Sequence, residues 1–391
     1  MSRHYRKVFW AAGLGWMFDA MDVGLLSFLL VPLTKEWSLT PAQGGMLGTF
    51  NTIGMAIGAS LGGYLADRYG RKPVFLTTMI LFGLASISSA AAASYLVMLI
   101  LRFIMGLGLG AELPVASTLV NEFAPESKRG RTVVLLESFW AFGWIAAAAI
   151  SYYVIPQYGW RLAVIIGSIP LVYAIIIRRG IPESPQFRMR EEKVPLTEIF
   201  TKYTVPTIVL WSVWFSVTFS YYGMFLWLPS VLVDKGYTMI QSFGYVLIMT
   251  LAQLPGYFTA AYFIERWGRK RTLSIYMAMT AVAAFLFGDS QTIAMLLTWG
   301  ALLSFFNLGA WGALYAYTPE NYPASVRASG AGFASAFGRV GSIIAPLMMG
   351  VLIANRYSYT AIFTIYTIVL ALGVLVLAVW GRETKQIPAP G

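Results

Sequence analysis

Long apolar runs follow one another along the whole 391-residue chain, separated by short polar segments that often contain Gly, Pro, Lys or Arg. Most runs are about 20 residues or longer, enough for a helix rising about 1.5 Å per residue to cross a hydrocarbon core about 30 Å thick. A helix satisfies its own backbone hydrogen bonds, whereas an open sheet edge in lipid cannot. The pattern therefore predicts an all-α integral membrane protein with twelve transmembrane helices, at 8–33, 41–66, 73–92, 95–120, 131–155, 160–179, 206–231, 239–263, 272–288, 291–317, 327–352 and 358–380.

Composition excludes an ordinary soluble protein. Of the residues, 58% are hydrophobic and 12% are charged, against about 45–50% and about 25% in soluble domains. The absence of Cys excludes a disulfide scaffold. The single His, His4, precedes the first run and is interpreted as a solvated terminal residue. Residues 1–10 lack a short apolar region followed by a cleavage site, so no removable signal peptide is expected.

Basic residues indicate the orientation of the helices. Of the 28 Lys and Arg residues, 22 fall in segments on the side of the N-terminus, four fall on the opposite side, and Arg102 and Arg339 lie inside spans. By the positive-inside rule, both termini are expected in the cytosol. The net charge of +11 is then explained by basic cytosolic segments that orient the chain and face the anionic inner leaflet. No nucleic-acid partner is therefore expected.

A repeat at an offset of 198 residues divides the chain. The segment 67–72, Asp-Arg-x-Gly-Arg-Lys, returns at 265–270 as Glu-Arg-x-Gly-Arg-Lys, and Gln43 returns as Gln241. We predict two pseudo-symmetric six-helix halves, 1–179 and 206–391, joined by a cytosolic linker at 180–205. Such repeats are related by an axis along the membrane normal and place the substrate site between the halves near the midplane.

Several motifs resemble those of the major facilitator superfamily. They are the loop Gly62–Lys72, the fourth-helix segment Arg102–Gly110, and three features similar to the sugar-porter branch, namely Glu122 with Arg129, Pro182–Pro185 and Arg382–Lys385. The resemblance implies a secondary transporter that works by alternating access, with no catalytic residues, cofactor or metal. A bacterial inner-membrane location and a monomeric state, with the lipid bilayer as its surroundings, are expected on the same ground.

Other segments resemble a particular branch of the superfamily. Residues 18–28 resemble the first helix of aromatic-acid:proton symporters, and segments 112–122 and 137–144 resemble bacterial niacin permeases. Residues 211–227 lack the Gln and Asn that sugar porters carry in helix 7, which disfavours a hexose. The resemblance implies proton-coupled import of a small aromatic monocarboxylate such as nicotinate. A benzoate, hydroxybenzoate or other organic-anion symporter stays open, and a non-transporting membrane sensor is a remote alternative.

Six ionisable residues lie inside the predicted spans, and none is matched by a charge at the 198-residue offset: Asp19, Asp22, Arg102, Glu112, Glu137 and Arg339. Each would cost about 2.5–3.5 kcal/mol at the bilayer centre on insertion scales. They must therefore be paired, neutralised or hydrated, and we interpret them as functional. Asp19 lies near the midplane and is a candidate for proton coupling.

Counting residues from the end of each predicted helix, at about 1.5 Å per residue, places some of these charges at the same depth in the membrane. Asp22 and Arg102 share a level, so an ion pair is expected. It either couples proton binding to helix movement or only orients helices 1 and 4. Glu112 and Glu137 also share a level. They either share a proton, since two close carboxylates cannot both ionise cheaply, or point separately into a wet vestibule.

Arg339 is expected at cavity depth on helix 11. A guanidinium stays charged and grips a carboxylate with two parallel hydrogen bonds, which predicts an anionic substrate. The alternative is an internal pair with Asp19, which could also describe the empty site. Residues placed to contact a flat ring are Trp214, Tyr221, Tyr222, Gln253, Asn307, Trp311 and Tyr315. For a ring nitrogen, Asn307, Gln253 or a water could each serve.

Charged residues at the cytosolic ends of helices form a predicted gate. It comprises Asp67, Arg68, Arg71, Glu122, Arg129, Glu265, Arg266, Arg269, Glu320 and Arg327. Topology alone does not explain why an acid recurs inside a basic motif in both halves. Ion pairs among these side chains would hold the inner ends of the helices together while the outside is open.

Overall fold

The computed structural model describes residues 3–69, 71–123, 129–178, 197–323 and 326–385. Within helices it describes the backbone alone at 3–8, 11, 60, 62–64, 66–69, 71–72, 75–76, 111–123, 129–134, 169–171, 173–175, 177–178, 197–198 and 327–329.

The described residues form fourteen α-helices and no strand. The helices are α1 (Arg3–Trp37), α2 (Pro41–Tyr69), α3 (Arg71–Ser89), α4 (Tyr95–Phe123), α5 (Arg129–Tyr158), α6 (Trp160–Arg178), α7 (Thr197–Thr201), α8 (Thr204–Asp234), α9 (Met239–Leu251), α10 (Gln253–Arg266), α11 (Arg269–Asp289), α12 (Ile293–Glu320), α13 (Arg327–Ala354) and α14 (Tyr359–Trp380). The short helix α7 lies within the predicted linker. With α9 and α10 taken as one kinked span, the remaining helices match the twelve predicted spans in order.

Eight helical segments of the described chain are long and apolar enough to cross a membrane. Two shorter apolar segments, Thr77–Ser89 and Tyr95–Gly110, belong to α3 and α4. The all-α membrane fold predicted from the apolar runs is therefore confirmed.

The break between α9 and α10 has a local cause. Pro255 has no backbone N–H, and its ring would clash with the carbonyl of Leu251, four residues earlier. The helix α9 ends at Leu251 and α10 begins at Gln253. The eighth span is thus kinked at its middle, where Gln253 lies.

The 198-residue repeat also appears at the starts of α2 and α9, which have the same hydrogen-bonded cap. At the start of α2, Gln43 N–H donates to the Thr40 hydroxyl (3.2 Å) and the Thr40 backbone N–H donates to the Gln43 side chain (2.9 Å). Thr238 and Gln241 form the same reciprocal capping box at the start of α9. A capping box satisfies two amide groups that a helix start leaves open. The recurrence of Gln43 as Gln241 therefore has a structural reason.

One contact lies where the two halves meet symmetrically. The Ser27 hydroxyl on α1 donates to the carbonyl oxygen of Phe225 on α8 at 2.8 Å, and the two residues are 198 positions apart. A contact between two residues that the repeat makes equivalent is expected at the pseudo-two-fold axis. This contact supports the division into two halves, whose boundaries remain a prediction.

We call the end of the bundle opposite the chain termini the distal end. There α2 packs directly on α13, and the contact of Gly45, Gly350, Pro41 and Pro346 forms what we term the distal seal. A Cβ at Gly45 would lie 2.5 Å from the carbonyl oxygen of Pro346, and one at Gly350 would meet the carbonyl oxygen of Pro41. Further along, the Thr49 hydroxyl donates to the Ile343 carbonyl at 2.8 Å. Small residues let membrane helices approach this closely.

Adding one methyl group at the distal seal should destabilise the protein. For Gly45→Ala we expect a loss of about 1–3 kcal/mol, the usual effect of overpacking a close contact. Gly332→Ala on α13 is the control, because no atom lies within 4 Å of its Cβ position and Ala favours a helix. Thermal unfolding of the purified protein in detergent measures both. Equal melting temperatures for the two variants would contradict the packing argument.

Candidate functional site

A buried ion pair joins α1 and α4. The Arg102 guanidinium (Nη1) lies 3.2 Å from the Asp22 carboxylate (Oδ2), with Arg102 1% and Asp22 6% exposed. The structure therefore places together the two charges that depth counting put at one level. Such a pair is stable while both ions are present, and loss of one leaves an uncompensated buried charge. Its role in proton coupling remains a prediction.

Glu137 on α5 lies among indole rings. It is 5% exposed, and the Trp16 indole N–H donates to its carboxylate (Oε2) at 3.2 Å. The indole of Trp311 on α12 approaches the same carboxylate without completing a hydrogen bond. Glu137 thus faces both halves. The side chain of Glu112 lies outside the described part, so the proposed shared proton stays a prediction.

Arg339 lies near the middle of the 28-residue helix α13 and is half-buried. Its charge lies close enough to the hydroxyl groups of Tyr222 and Tyr315 to interact with them electrostatically. Asp19 interacts with the same Tyr222 hydroxyl. The cation is therefore within electrostatic range of the hydroxyls of α8 and α12, and Asp19 of the other half is within range of one of them. The Arg339–Asp19 pair stays a prediction.

Five aromatic residues from three helices form the central aromatic cluster: Trp140, Trp144, Tyr221, Tyr222 and Trp311. The Trp140 indole N–H donates to the Tyr221 hydroxyl at 2.5 Å. The Tyr221 ring centroid lies 5.1 Å from those of Tyr222 and Trp311, and 6.2 Å from that of Trp144. The cluster therefore joins α5 of the first half to α8 and α12 of the second.

The remaining aromatic candidates border this cluster. The Trp214 ring lies 5.0 Å from Tyr315 and 6.2 Å from Trp311 between centroids. Its indole N–H donates to the Thr318 hydroxyl at 2.9 Å. Trp214 is thus held within the second half, behind Trp311 and Tyr315.

Both predicted amides are buried. Asn307 is 1% exposed, and its amide nitrogen donates to the Ser220 hydroxyl at 3.2 Å. Gln253 is fully buried, and neither atom of its amide has a hydrogen-bond partner in the described part of the chain. In the described part of the chain, the Asn307 amide therefore has one hydrogen-bond partner and the Gln253 amide has none.

A small cavity lies between the halves on one side of the cluster. Its lining includes Asn51, Thr52, Trp144, Tyr221 and Tyr222, and its volume is about 20 Å³. That volume holds roughly one water molecule. An aromatic acid does not fit this cavity in the conformation described.

In the second half, part of the predicted gate forms. Arg269 lies 3.2 Å from carboxylate oxygens of both Glu265 and Glu320. Arg266 donates instead to the Tyr262 hydroxyl on its own helix at 2.7 Å, so this contact bridges no helix ends. The Glu383 carboxylate accepts the Arg269 backbone N–H at 2.8 Å and joins the C-terminal segment to this gate.

The other predicted gate side chains lie outside the described part of the chain. They are Asp67, Arg68, Arg71, Glu122, Arg129 and Arg327. Only the backbone of these residues is described, within α2 to α5 and α13. Their ion pairs therefore remain predictions.

The arrangement of helices agrees with comparisons to known proteins. A family model described as Major Facilitator Superfamily matches residues 12–254 and 241–390. The chain belongs to the major facilitator superfamily. The family predicted from the sequence motifs is confirmed.

Relatives within the superfamily are close. The chain is 45% identical to the niacin transporter NiaP of Acinetobacter baylyi, with 98% of this chain and 94% of that protein covered. It is 53% identical to a Bacillus subtilis protein named as a candidate niacin/nicotinamide transporter NiaP, with 97% of each covered. Among solved structures it resembles a partially occluded inward-open form of the xylose transporter XylE from E. coli, with a TM-score of 0.82, 18% identity, and 99% and 100% coverage. This last likeness concerns the fold.

Superfamily membership and these relatives establish the general function. The chain is a multi-pass membrane protein that transports a small molecule. Its relatives are transporters rather than enzymes, in agreement with the prediction that it is not an enzyme and holds no cofactor. The buried ion pair, Glu137 and Arg339 lie on α1, α4, α5 and α13, and their place in a substrate site remains a prediction.

Sequence reasoning did not single out four aromatic residues that the structure places around the candidate site: Trp16, Trp140, Trp144 and Tyr257. Spacing could have indicated three of them. Trp140 and Trp144 follow Glu137 by three and seven residues, and Tyr257 follows Gln253 by four, so each shares a helix face with a residue already singled out. Trp16 becomes visible only through its hydrogen bond to Glu137.

Proposed function

We propose that the chain is a proton-coupled importer of a small aromatic monocarboxylate, nicotinate in the first instance. The observation that carries this proposal is a half-buried guanidinium, Arg339, in the middle of α13 and within electrostatic range of the hydroxyls of Tyr222 and Tyr315. The names of the two relatives, each a niacin transporter or candidate at 45% and 53% identity, support the same substrate.

Arg339 binds the carboxylate of the substrate in this proposal. Two parallel N–H donors match the two carboxylate oxygens, and the surrounding rings lower the local polarity and so strengthen the contact. The central aromatic cluster offers ring faces and edges to a flat substrate. Trp311 and Tyr315 lie on the same helix face as Asn307, so one helix supplies both ring contacts and a polar group.

Proton coupling is assigned to Asp22, Arg102 and Glu137, with Asp19 and Glu112 as further carriers. Protonation of Asp22 would remove its attraction for Arg102 and free α1 to move relative to α4. Glu137 contacts Trp16 of its own half and approaches Trp311 of the other. A change in its charge would thus be felt on both sides of the site.

The orientation and location follow from the charge count. We place the chain in the bacterial inner membrane as a monomer, with both termini in the cytosol and the distal end outside. The excess of Lys and Arg on the terminal side supports this orientation.

Uptake of labelled nicotinate tests the proposed function directly. Cells that express the chain are expected to accumulate nicotinate above cells with an empty vector, and a proton uncoupler should abolish the accumulation. Unlabelled benzoate, hydroxybenzoate and nicotinamide serve as competitors. Absence of nicotinate uptake, together with uptake of another aromatic acid, would move the assignment to the benzoate type of symporter. Accumulation that resists the uncoupler would contradict proton coupling.

A further inference from the structure

Buried polar atoms on α10 and α12 lack partners in the described part of the chain. They are both amide atoms of Gln253, the hydroxyl of Tyr257 and the amide oxygen (Oδ1) of Asn307. Gln253 and Tyr257 are 0% exposed and Asn307 is 1% exposed. A buried polar atom without a hydrogen bond destabilises a protein, and native structures keep few of them. These atoms therefore need a water or a ligand as partner.

A tight crossing joins α10 to α12 beside Gln253 and Tyr257. A Cβ at Gly256 on α10 would meet the carbonyl oxygen of Phe305 on α12, and one at Gly309 would lie 2.9 Å from the carbonyl oxygen of Gly256. The backbones of α10 and α12 thus touch beside Gln253 and Tyr257. Asn307 lies two residues from both Phe305 and Gly309, so its side chain leaves the other face of α12, toward Ser220 of α8. We call Gln253 and Tyr257 the amide subsite.

The amide subsite borders the candidate substrate site. Tyr257 lies close enough to Glu137, Tyr221 and Tyr315 for an electrostatic interaction with each. Tyr315 in turn interacts with Arg339. Gln253 lies at the middle of the 28-residue span 239–266, and Arg339 lies near the middle of the 28-residue helix α13. Both groups are therefore at the same depth in the membrane.

The amides of Asn307 and Gln253 differ in which of their atoms lacks a hydrogen-bond partner. The Ser220 hydroxyl donates its proton to the Val217 carbonyl at 2.9 Å, so its oxygen can only accept from Asn307. This fixes the Asn307 amide with its nitrogen on Ser220 and leaves its oxygen, an acceptor, without a partner. Gln253 keeps an unengaged amide nitrogen. A pyridine nitrogen only accepts hydrogen bonds, so Gln253 is the amide that suits it.

We propose that the Gln253 amide nitrogen donates a hydrogen bond to the ring nitrogen of a pyridine monocarboxylate, and that Gln253 thereby determines specificity for nicotinate over benzoate. This inference rests on the proposed function, in which Arg339 holds the carboxylate. Benzoate carries a C–H group where nicotinate has its nitrogen, and it would leave Gln253 buried without a partner. Sites with a buried polar group of this kind reject the analogue that lacks the matching atom.

Competition between the two acids tests the assignment. In proteoliposomes with an imposed proton gradient, KM for nicotinate and the inhibition constant for benzoate are measured for the wild type, Gln253→Leu and Gln253→Met. The wild type should favour nicotinate by about tenfold or more, the equivalent of one neutral hydrogen bond. Both variants should raise KM for nicotinate by up to about tenfold, and they should lower the inhibition constant for benzoate because no buried amide is then left without a partner, so that the preference is lost.

A matched control lies one turn away on α9. The buried Thr250 hydroxyl donates to the carbonyl of Val246 on its own helix at 2.6 Å, so Thr250→Val should keep the preference for nicotinate. Size-exclusion profiles in detergent show which variants fold, and Gln253→Met keeps the side-chain length if the Leu variant misfolds.

The outcomes separate this inference from the proposed function. A wild type that does not distinguish the two acids, or Gln253 variants that keep the preference, would overturn the role of Gln253 while the importer of aromatic acids stands. A wild type that takes up neither acid would instead remove the proposed function.

Discussion

Replacing Arg339 with Ala is expected to reduce nicotinate uptake at least about a hundredfold, because two charge-assisted hydrogen bonds of about 1.5–3 kcal/mol each would be lost. Arg339→Lys keeps the charge but not the planar pair of donors, so it should retain binding at a KM raised by about tenfold or more. Initial uptake rates over a range of nicotinate concentrations, normalised to the amount of protein in the membrane, measure both effects.

Two comparisons isolate the contribution of Arg339. Arg356 is an exposed Arg that follows α13 directly, and Arg356→Ala should leave nicotinate uptake unchanged. Nicotinamide carries no charge and would gain little from the guanidinium, so the wild type should prefer the acid to the amide. Near-normal uptake by Arg339→Ala in a folded protein would refute the assignment of the carboxylate site.

Replacing only one member of the Asp22–Arg102 pair should lower the free energy of unfolding by about 3–5 kcal/mol, because each single variant leaves one buried charge without its partner. Asp22→Asn and Arg102→Gln are the single variants, and the double variant should recover most of the lost stability. Accumulation of nicotinate against its gradient should nevertheless be absent in all three, since the titrating carboxylate or its counter-ion is missing. Thermal unfolding in detergent and proton-driven uptake in proteoliposomes provide the two measurements.

The Glu36–Arg161 pair provides the matched control for the buried pair. Its atoms lie 2.8 Å apart, yet the two side chains are 37% and 46% exposed. Exposed pairs contribute about 0–1 kcal/mol, so Glu36→Gln should change stability little and leave accumulation intact. Proton-driven accumulation by the Asp22→Asn/Arg102→Gln double variant would show that the buried pair only orients α1 and α4.

Much of the fold could be predicted from the sequence because lipid permits few backbone arrangements. The apolar runs predict the twelve spans, and the 198-residue repeat predicts that Gln43 and Gln241 occupy equivalent places, which the two capping boxes explain. The short helix α7 was not visible, since five residues are too few to produce a periodic pattern.

The site was predictable in part, for a different physical reason. A charge inside an apolar run stands out, so Asp22, Arg102, Glu137 and Arg339 could be singled out and two of them paired by depth. Aromatic residues do not stand out in a chain that is 15% aromatic, so Trp16 and Trp140 could not be singled out as candidate site residues. The proposal of Gln253 rather than Asn307 as partner of a ring nitrogen depends on the hydrogen bond from Ser220 to Val217, which no sequence pattern reveals.

The distal seal joins the halves through backbone carbonyls, glycines and a threonine hydroxyl. These contacts are electrically neutral, so dissolved salt, which weakens exposed ion pairs, would hardly change the free energy needed to separate them. The ion pairs of Arg269 with Glu265 and Glu320 at the opposite end would respond to salt. A rise in ionic strength should therefore weaken the contacts at one end of the bundle and leave those at the other end unchanged.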